Sequence, residues 1–499
     1  MTVARAMIAT LRRTAVALTL ACAGCMVGPD YQRPAIGLPK SYPDAPPADT
    51  ARPSTAAAAA ATPPPVTTAS PNAAGPTVPA QWWTLYRDPE LDGLVAAALG
   101  ANTDLRIATA RVDEAEAIAR QVNAAIFPEI DLGAAGSRSR SNPALLTQGS
   151  QPIANNFRVA LSTSFEIDFW GRLRRAAEAA RAQALGSHYA RDVVALTLAG
   201  DVAQTYFALR SLDAQIIATR ETLQSREQSA ALVNRRARGG VASDLDVAQA
   251  EGLRAQAAAQ LKLLVRQRAA ALHMLGTLTG HLDIAIAESG IDAIPLPPQP
   301  PPGLPSALIE QRPDVRKAEQ DLVSANAQIG VAKAALLPTI DLTGDLGAQS
   351  ASLANLLQYG SRIWSIGFGL AQPIFDAGRR QAAVEGQEAF ERETLAAYQK
   401  SLETAFREVA DALVDVQQTT AAATDYDANL VAARNALRLA TRRYEAGLAQ
   451  FLDVLDAQRT VNTAELARIL NRQAQLAASV DLMKALGGGW TPGEGVATR

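Results

Sequence analysis

The only two cysteines among 499 residues, Cys22 and Cys25, stand as C-x-x-C in the stretch LACAGCMVGPDYQRP. That spacing suits a thioredoxin-type dithiol or half of a zinc site. A redox pair needs a folded scaffold, usually a helix N-terminus, that lowers one thiol's pKa. A zinc site needs further ligands, and His188, His273 and His281 lie far off without ligand spacing. A third use fits the surroundings. Arg5, Arg12 and Arg13 precede the short apolar run TAVALTLA and then small residues. This is the form of an export signal, too short to be a stable anchor. The Arg-Arg pair also raises the twin-arginine route, with no further matching context. Ala23-Gly24 immediately before Cys25 is the setting of a lipoprotein signal, in which the cysteine becomes the lipidated N-terminus. Cys25 is the better acceptor, and Cys22, after Leu20-Ala21, is a competitor. No G-x-S-x-G, H-E-x-x-H or G-x-x-x-x-G-K-[ST] occurs, so no enzyme, metal or cofactor hypothesis has a motif behind it.

The elements around that N-terminus point away from soluble chemistry. Forty-seven Lys and Arg against 49 Asp and Glu leave no electrostatic case for a nucleic-acid partner. No run of 18 apolar residues is present, so no membrane-spanning helix is expected. Abundant alanine with only 5% aromatics favours long helices with thin, small-residue interfaces. The reading divides the chain into a signal at 1–24 and a lipidated N-terminus with a Pro/Ala-rich spacer at 25–80. A first repeat at 81–293, a proline-rich linker at 294–305, a second repeat at 306–490 and a tail at 491–499 follow. The repeats are visible directly. DLRIATARVDEAEAIARQVNAAIFPEIDL from Asp104 recurs as DVRKAEQDLVSANAQIGVAKAALLPTIDL from Asp314, and RRARGGVASDLDV from Arg235 recurs as RRYEAGLAQFLDV from Arg442.

Within each repeat the apolar period switches. Phe157, Val159, Leu161, Thr163, Phe165, Ile167 and Phe169 alternate with Arg158, Ser162, Ser164, Glu166 and Asp168. In the second copy Trp364, Ile366, Phe368 and Leu370 alternate with Ser365, Gly367, Gly369 and Ala371. Each run follows a partner strand, from Glu129 and from Thr339. The alternation matches either a soluble hairpin or a transmembrane β-strand. Its length, with Phe127, Trp170, Tyr359 and Trp364 near strand ends as an aromatic girdle, favours the membrane. A heptad then runs through Ala195, Leu198, Val202, Thr205, Leu209, Leu212, Ile216, Thr219, Leu223, Arg226, Ala230 and Val233, and again 207 residues later from Leu402 to Ala440. It specifies helices packed as coiled coils, one from near Arg172 to Arg238 and on the order of 100 Å long. Gly239-Gly240 and Gly447 end these helices at turns.

Four membrane-type strands per chain cannot close a barrel, and open edges are not tolerated in lipid. A homotrimer would supply twelve, with the helices continuing as a hollow tube. GPDYQRP, WWTLYRDPELDGLV, EIDFWGRLRR, LIEQRPDVRKAE, QPIFDAGRR, LDVLDAQR and KALGGGW, in this order from Gly28 to Trp490, resemble the outer membrane factors of tripartite efflux pumps, closest to the OprM/NodT-type outer membrane lipoproteins of the TolC superfamily. The resemblance implies a mixed α and β membrane protein. The family fold is a trimer with a 12-stranded outer-membrane β-barrel above a long periplasmic α-helical coiled-coil barrel. It also implies partners: outer membrane lipid, a periplasmic adaptor (membrane fusion protein) and an inner-membrane RND transporter that delivers drugs or other small compounds. A duct for type I secretion or metal efflux is the alternative within the same fold, and a lumenless coiled-coil protein the alternative outside it.

Carried over residue by residue, the resemblance implies lipidation at Cys25. It implies adaptor-contacting helix tips at Gly240, Val241, Ala242, Gly447, Leu448 and Ala449, and a periplasmic gate at Leu452, Asp456, Asp453 and Asp246. In the first copy the counterparts of Leu452 and Asp456 are Leu245 and Gln249, so the acid at 456 sits on one tip only. Helix N-capping is the competing role for Asp246 and Asp453, and Arg459 is one turn beyond Asp456, in reach of it.

Overall fold

The computed structural model describes residues 26–37, 39, 42, 78–142, 152–298 and 311–489. Both cysteines, and with them the expected signal and lipidation site, lie outside the described residues, as do most of the spacer, the second half of the proline-rich linker and the tail. A 3-10 turn at Trp82–Tyr86 leads into α1 (Pro89–Ala101) and α2 (Thr103–Ala124). Then come β1 (Glu129–Arg140), β2 (Ile153–Glu166), α3 (Arg172–Arg238) and α4 (Asp244–Thr279). The order recurs as α5 (Pro313–Ala334), β3 (Thr339–Ser350), β4 (Arg362–Ala371), α6 (Arg379–Glu445) and α7 (Phe451–Ala485). Helices α3 and α6 have the same length, 67 residues. Two compact units cut across the repeats. One holds Ala110–His188 and Lys317–Gln399 with the N-terminal stretch to Ala35; the other holds Ile36–Thr109, Tyr189–Arg316 and Lys400–Arg499.

In the first unit the strands form one antiparallel sheet in the order β1-β2-β3-β4. The two copies meet where β2 pairs with β3. All four strand–helix junctions fall at one end of the sheet and the two strand-to-strand loops at the other. The residues from Val27 to Arg33 are held to this unit. Val27 N–H donates to the Trp170 carbonyl at 3.1 Å. Arg33 makes a two-point pair with Glu319 at 2.7 and 2.8 Å, and buried Arg175 reaches Asp30 at 2.5 Å.

The strand read from sequence as running to Phe169 ends at Glu166. The cause is Asp168, whose carboxylate accepts from the Leu173 and Arg174 backbone N–H groups at 3.1 and 3.0 Å. Ile167 N–H still donates to the Ile340 carbonyl at 2.8 Å. Capping the orphan donors of α3 takes the chain out of the ladder after that bond, so Phe169 belongs to a strand-to-helix corner. Trp170 also lies at this corner. It is half-buried, and its Nε1 donates to the Pro338 carbonyl at 2.8 Å.

In the second unit the heptad positions from Ala195 to Val233 and from Leu402 to Ala440 are buried or half-buried, none exposed. That is the behaviour expected of seams between helices. Its core gathers Trp82, Tyr86, Phe207, Leu209, Leu275 and Leu476, with Tyr86 hydrogen-bonded to Ser479 at 2.7 Å. One seam position is charged. Arg226 is 5% exposed and donates to the Leu253 carbonyl at 2.8 Å, and burial pulls its guanidinium below the usual range.

Candidate functional site

Side chains alternate across a strand, so the register decides what each sheet face can do. Leu132, Leu161, Leu346 and Trp364 lie side by side across the four strands, and Leu342 lies between Phe165 and Phe368. This face continues through Ile130, Val159, Ile366 and Leu370 and is open to its surroundings; Trp364 is 75% and Phe368 81% exposed. The opposite face carries Glu129, Asp131, Ser162, Ser164, Glu166, Asp341, Thr343 and Asp345. There Arg158 pairs with Asp345 at 2.7 Å, and Ser365 donates to the same carboxylate at 3.3 Å. An apolar face over strands of 10 to 14 residues, with a polar face behind it, is the pattern of a membrane barrel wall. Tyr359 and Trp364 lie exposed toward the loop end. At the junction end exposed Phe127 is joined by Ile374 and Phe375, 89% and 88% exposed, which the alternation reading passed over because they follow the strand. The outer edges of β1 and β4 have no partner strand among the described residues.

The second set of expected residues sits at two helix turns in the other unit. Gly240 and Gly447 adopt φ of +75° and +72°. Val241 N–H bonds the Arg236 carbonyl and Gly240 N–H the Ala237 carbonyl, both at 2.9 Å; Leu448 and Gly447 repeat this onto Arg443 and Tyr444 at 2.8 and 3.0 Å. Both turns are thus Schellman caps, which need a residue in the left-handed region. No neighbour lies within 4 Å of a Cβ at either glycine. Gly240→Val and Gly447→Val should therefore each cost about 1–2 kcal/mol through backbone conformation alone. Gly239→Ala, whose φ is not left-handed, should cost less; thermal melts followed by far-UV circular dichroism would show whether the three rank this way.

The turns bring Ala230, Val233, Ala250, Phe451, Val454 and Leu455 into one buried cluster. Arg236 stacks on Tyr444 at 4.8 Å from the ring centroid. Turned away from it are Val241 at 77%, Leu245 at 65%, Leu448 at 71% and Leu452 at 53% exposure. Half-buried Ala242 and Ala449 complete the tip segments. The acids separate into two uses. Asp246 closes a capping box: its carboxylate accepts from Ser243 N–H at 3.0 Å and Ser243 hydroxyl at 2.8 Å, while Ser243 Oγ accepts from Asp246 N–H. Helix α7 starts at Phe451 after Gln450, which makes no side-chain cap, so Asp453 carries no such bond. Asp456 is exposed and pairs with Arg459 at 2.5 Å, the contact expected from their spacing. Both are open to water, so the pair contributes little to stability. Among the described residues no helix is long and apolar enough to cross a membrane, and no group of three metal-ligating side chains converges.

A model of the outer membrane efflux protein family matches the chain twice, over residues 94–281 and 304–488. The chain belongs to the outer membrane efflux protein family. It is 36% identical over 490 residues to the outer membrane protein OprJ of Pseudomonas aeruginosa, covering 96% of each chain. It is 35% identical over 470 residues to the solvent efflux pump outer membrane protein SrpC of Pseudomonas putida, covering 94% of this chain and 96% of SrpC. The solved outer membrane channel CmeC of Campylobacter jejuni superposes with a TM-score of 0.83 at 25% identity, over 93% of this chain and 95% of that one. The fold is that of the TolC-like outer membrane channels. This efflux protein is thus an outer membrane channel component and not an enzyme, and the exposed apolar face of its four-stranded sheet is the surface that such a location requires.

Proposed function

We propose that three copies of this outer membrane efflux protein pair β4 to β1 into a 12-stranded barrel and form the exit duct of a tripartite pump. The observation that carries this reading is the amphipathic sheet with two unpaired edges. One chain leaves ladder groups unsatisfied in lipid, and ring closure satisfies them. A periplasmic adaptor meets the turns at Gly240-Val241-Ala242 and Gly447-Leu448-Ala449, whose exposed valine and leucine suit helix-tip contacts. An inner-membrane transporter of the RND type supplies the driving force, and the duct conducts passively. Its cargo is the small apolar and amphiphilic compounds named by relatives that export solvents, toluene and antibiotics. Cys25 carries the lipid that sorts the chain to the outer membrane.

Leu452, Asp453 and Asp456 form the closing ring, where a three-fold axis would gather apolar and acidic side chains; Asp246 sits beside them as the capping residue of α4. In planar bilayers the purified trimer should reside mostly in a closed state with brief openings. Leu452→Ala/Asp456→Ala should raise the open fraction about tenfold, which is ~1.4 kcal/mol over the whole ring. A trimer with no pore, even in that variant, would overturn the conduit reading. Drug susceptibility of a deletion strain, complemented with the wild type, reports the cargo class. The intact mass of the mature chain tests lipidation.

A further inference from the structure

The loop-side half of the sheet is basic, and its one acid, Asp345, faces the polar side. Between Leu132 and Phe165 the sequence has no Asp or Glu, only Arg138, Arg140 and Arg158; between Leu346 and Phe375 its one charged residue is Arg362. Arg158 is accounted for, facing the polar side and paired with Asp345. The other three face the apolar side. Arg138 lies opposite Asn155, Arg140 opposite Ile153 and Arg362 opposite Ala348, with the same parity as Leu132, Leu161 and Trp364. All three are exposed, and none makes an ion pair among the described residues. Arg362 is stacked over Tyr359, 4.5 Å from the ring centroid. Arg138 and Arg140 end β1 and Arg362 begins β4, so the three stand at one end of the sheet on its two free edges. Closure of the ring proposed above, on which this inference rests, sets Arg362 of one copy beside the β1 end of the next.

Arginine on a lipid-facing surface costs about 2–4 kcal/mol at mid-membrane and about 0–1 at the interface. Its stem lies along apolar surface while its head reaches polar ground. The planar fork matches phosphate oxygens two at a time. Position, charge and geometry thus converge on an anionic group at the outer edge of the apolar band. We propose that Arg138, Arg140 and Arg362 form a binding site, one at each junction between copies, for the phosphates of an outer-leaflet lipid headgroup.

The test uses purified trimers already shown to conduct, so that failure of the channel reading is seen separately. Fluorescent diphosphorylated lipid A in detergent micelles should bind saturably and weaken as salt is raised. Arg138→Gln/Arg140→Gln/Arg362→Gln should weaken binding about tenfold or more, whereas Arg158→Gln on the inner face should not. Dephosphorylated lipid A should bind no better to the wild type than to the triple variant. Should the triple variant fail to assemble, the comparison of the two lipids and the salt dependence on wild type decide alone. Unchanged affinity in the triple variant, or equal binding of the dephosphorylated lipid, would overturn the site. So would displacement of the lipid by millimolar inorganic phosphate, which would make this a free-anion site.

Discussion

Phe368→Lys is expected to abolish formation of the proposed trimer and its conductance, while Gly369→Lys, one residue along the same strand, leaves both in place. Phe368 projects from the apolar face, 81% exposed, in register with Leu342 and beyond it Phe165. A lysine at that depth costs about 2–4 kcal/mol per copy in lipid. Three copies multiply this to roughly the whole stability of a domain, which is about 5–15 kcal/mol. Gly369 points to the polar face opposite Asp341, and a Cβ there meets nothing within 4 Å. The added charge would stand in water beside a carboxylate. The pair of variants holds charge, strand and neighbourhood constant and changes only the face. Native gels after membrane extraction, followed by bilayer recordings, would separate the outcomes; Phe368→Lys trimers with normal conductance would show that this face does not meet lipid.

The face assignment was legible because strand period and helix period are local properties. Alternation around Leu161 and Trp364, the heptads on α3 and α6, and the glycine stops at 240 and 447 each depend on residues within a few positions of one another. The overshoot to Phe169 has the same origin. Apolar spacing continued through the corner, and only the competition between ladder and cap at Asp168 ended the strand. Contacts across long separations left no such signal. Arg226 at a heptad position read as a seam residue, although its burial rests on a carbonyl 27 positions away. The outward arginines stood out in no sequence pattern, and only the register placed them on the apolar side. The acids at the turns divided on one neighbour: Ser243 before α4 draws Asp246 into a capping box, and Gln450 before α7 leaves Asp453 without one.

The least legible feature has the second large expected effect. Asp213, in mid-helix on α3, is fully buried and accepts from Arg268, from Arg210 at 3.3 Å and from Ser289 N–H at 3.2 Å. Arg210 also binds Glu90, the Tyr206 hydroxyl and the Ala287 carbonyl, and Arg268 binds the Ile286 carbonyl. This strap, the irregular segment from Ile284 to Ile294, is thereby tied to α3 and α4. Arg468 to Asp292 at 2.6 Å and Arg472 to the Ile294 carbonyl at 2.6 Å tie it also to α7, the helix whose first turns carry the proposed closing ring. Asp213→Ala leaves two guanidinium groups and an N–H turned toward an empty buried position. Breaking one side of a buried pair costs about 3–5 kcal/mol. Asp213→Leu/Arg268→Leu removes both charges of the tightest contact and should recover much of that loss, since apolar replacement of a whole pair is often neutral. Thermal unfolding of the helical signal measures the two variants against wild type. If the strap also restrains α7, bilayer recordings of Asp213→Ala at low temperature, where it remains folded, should show more frequent opening than wild type. Gating unchanged in a destabilised protein would confine Asp213 to holding the fold together.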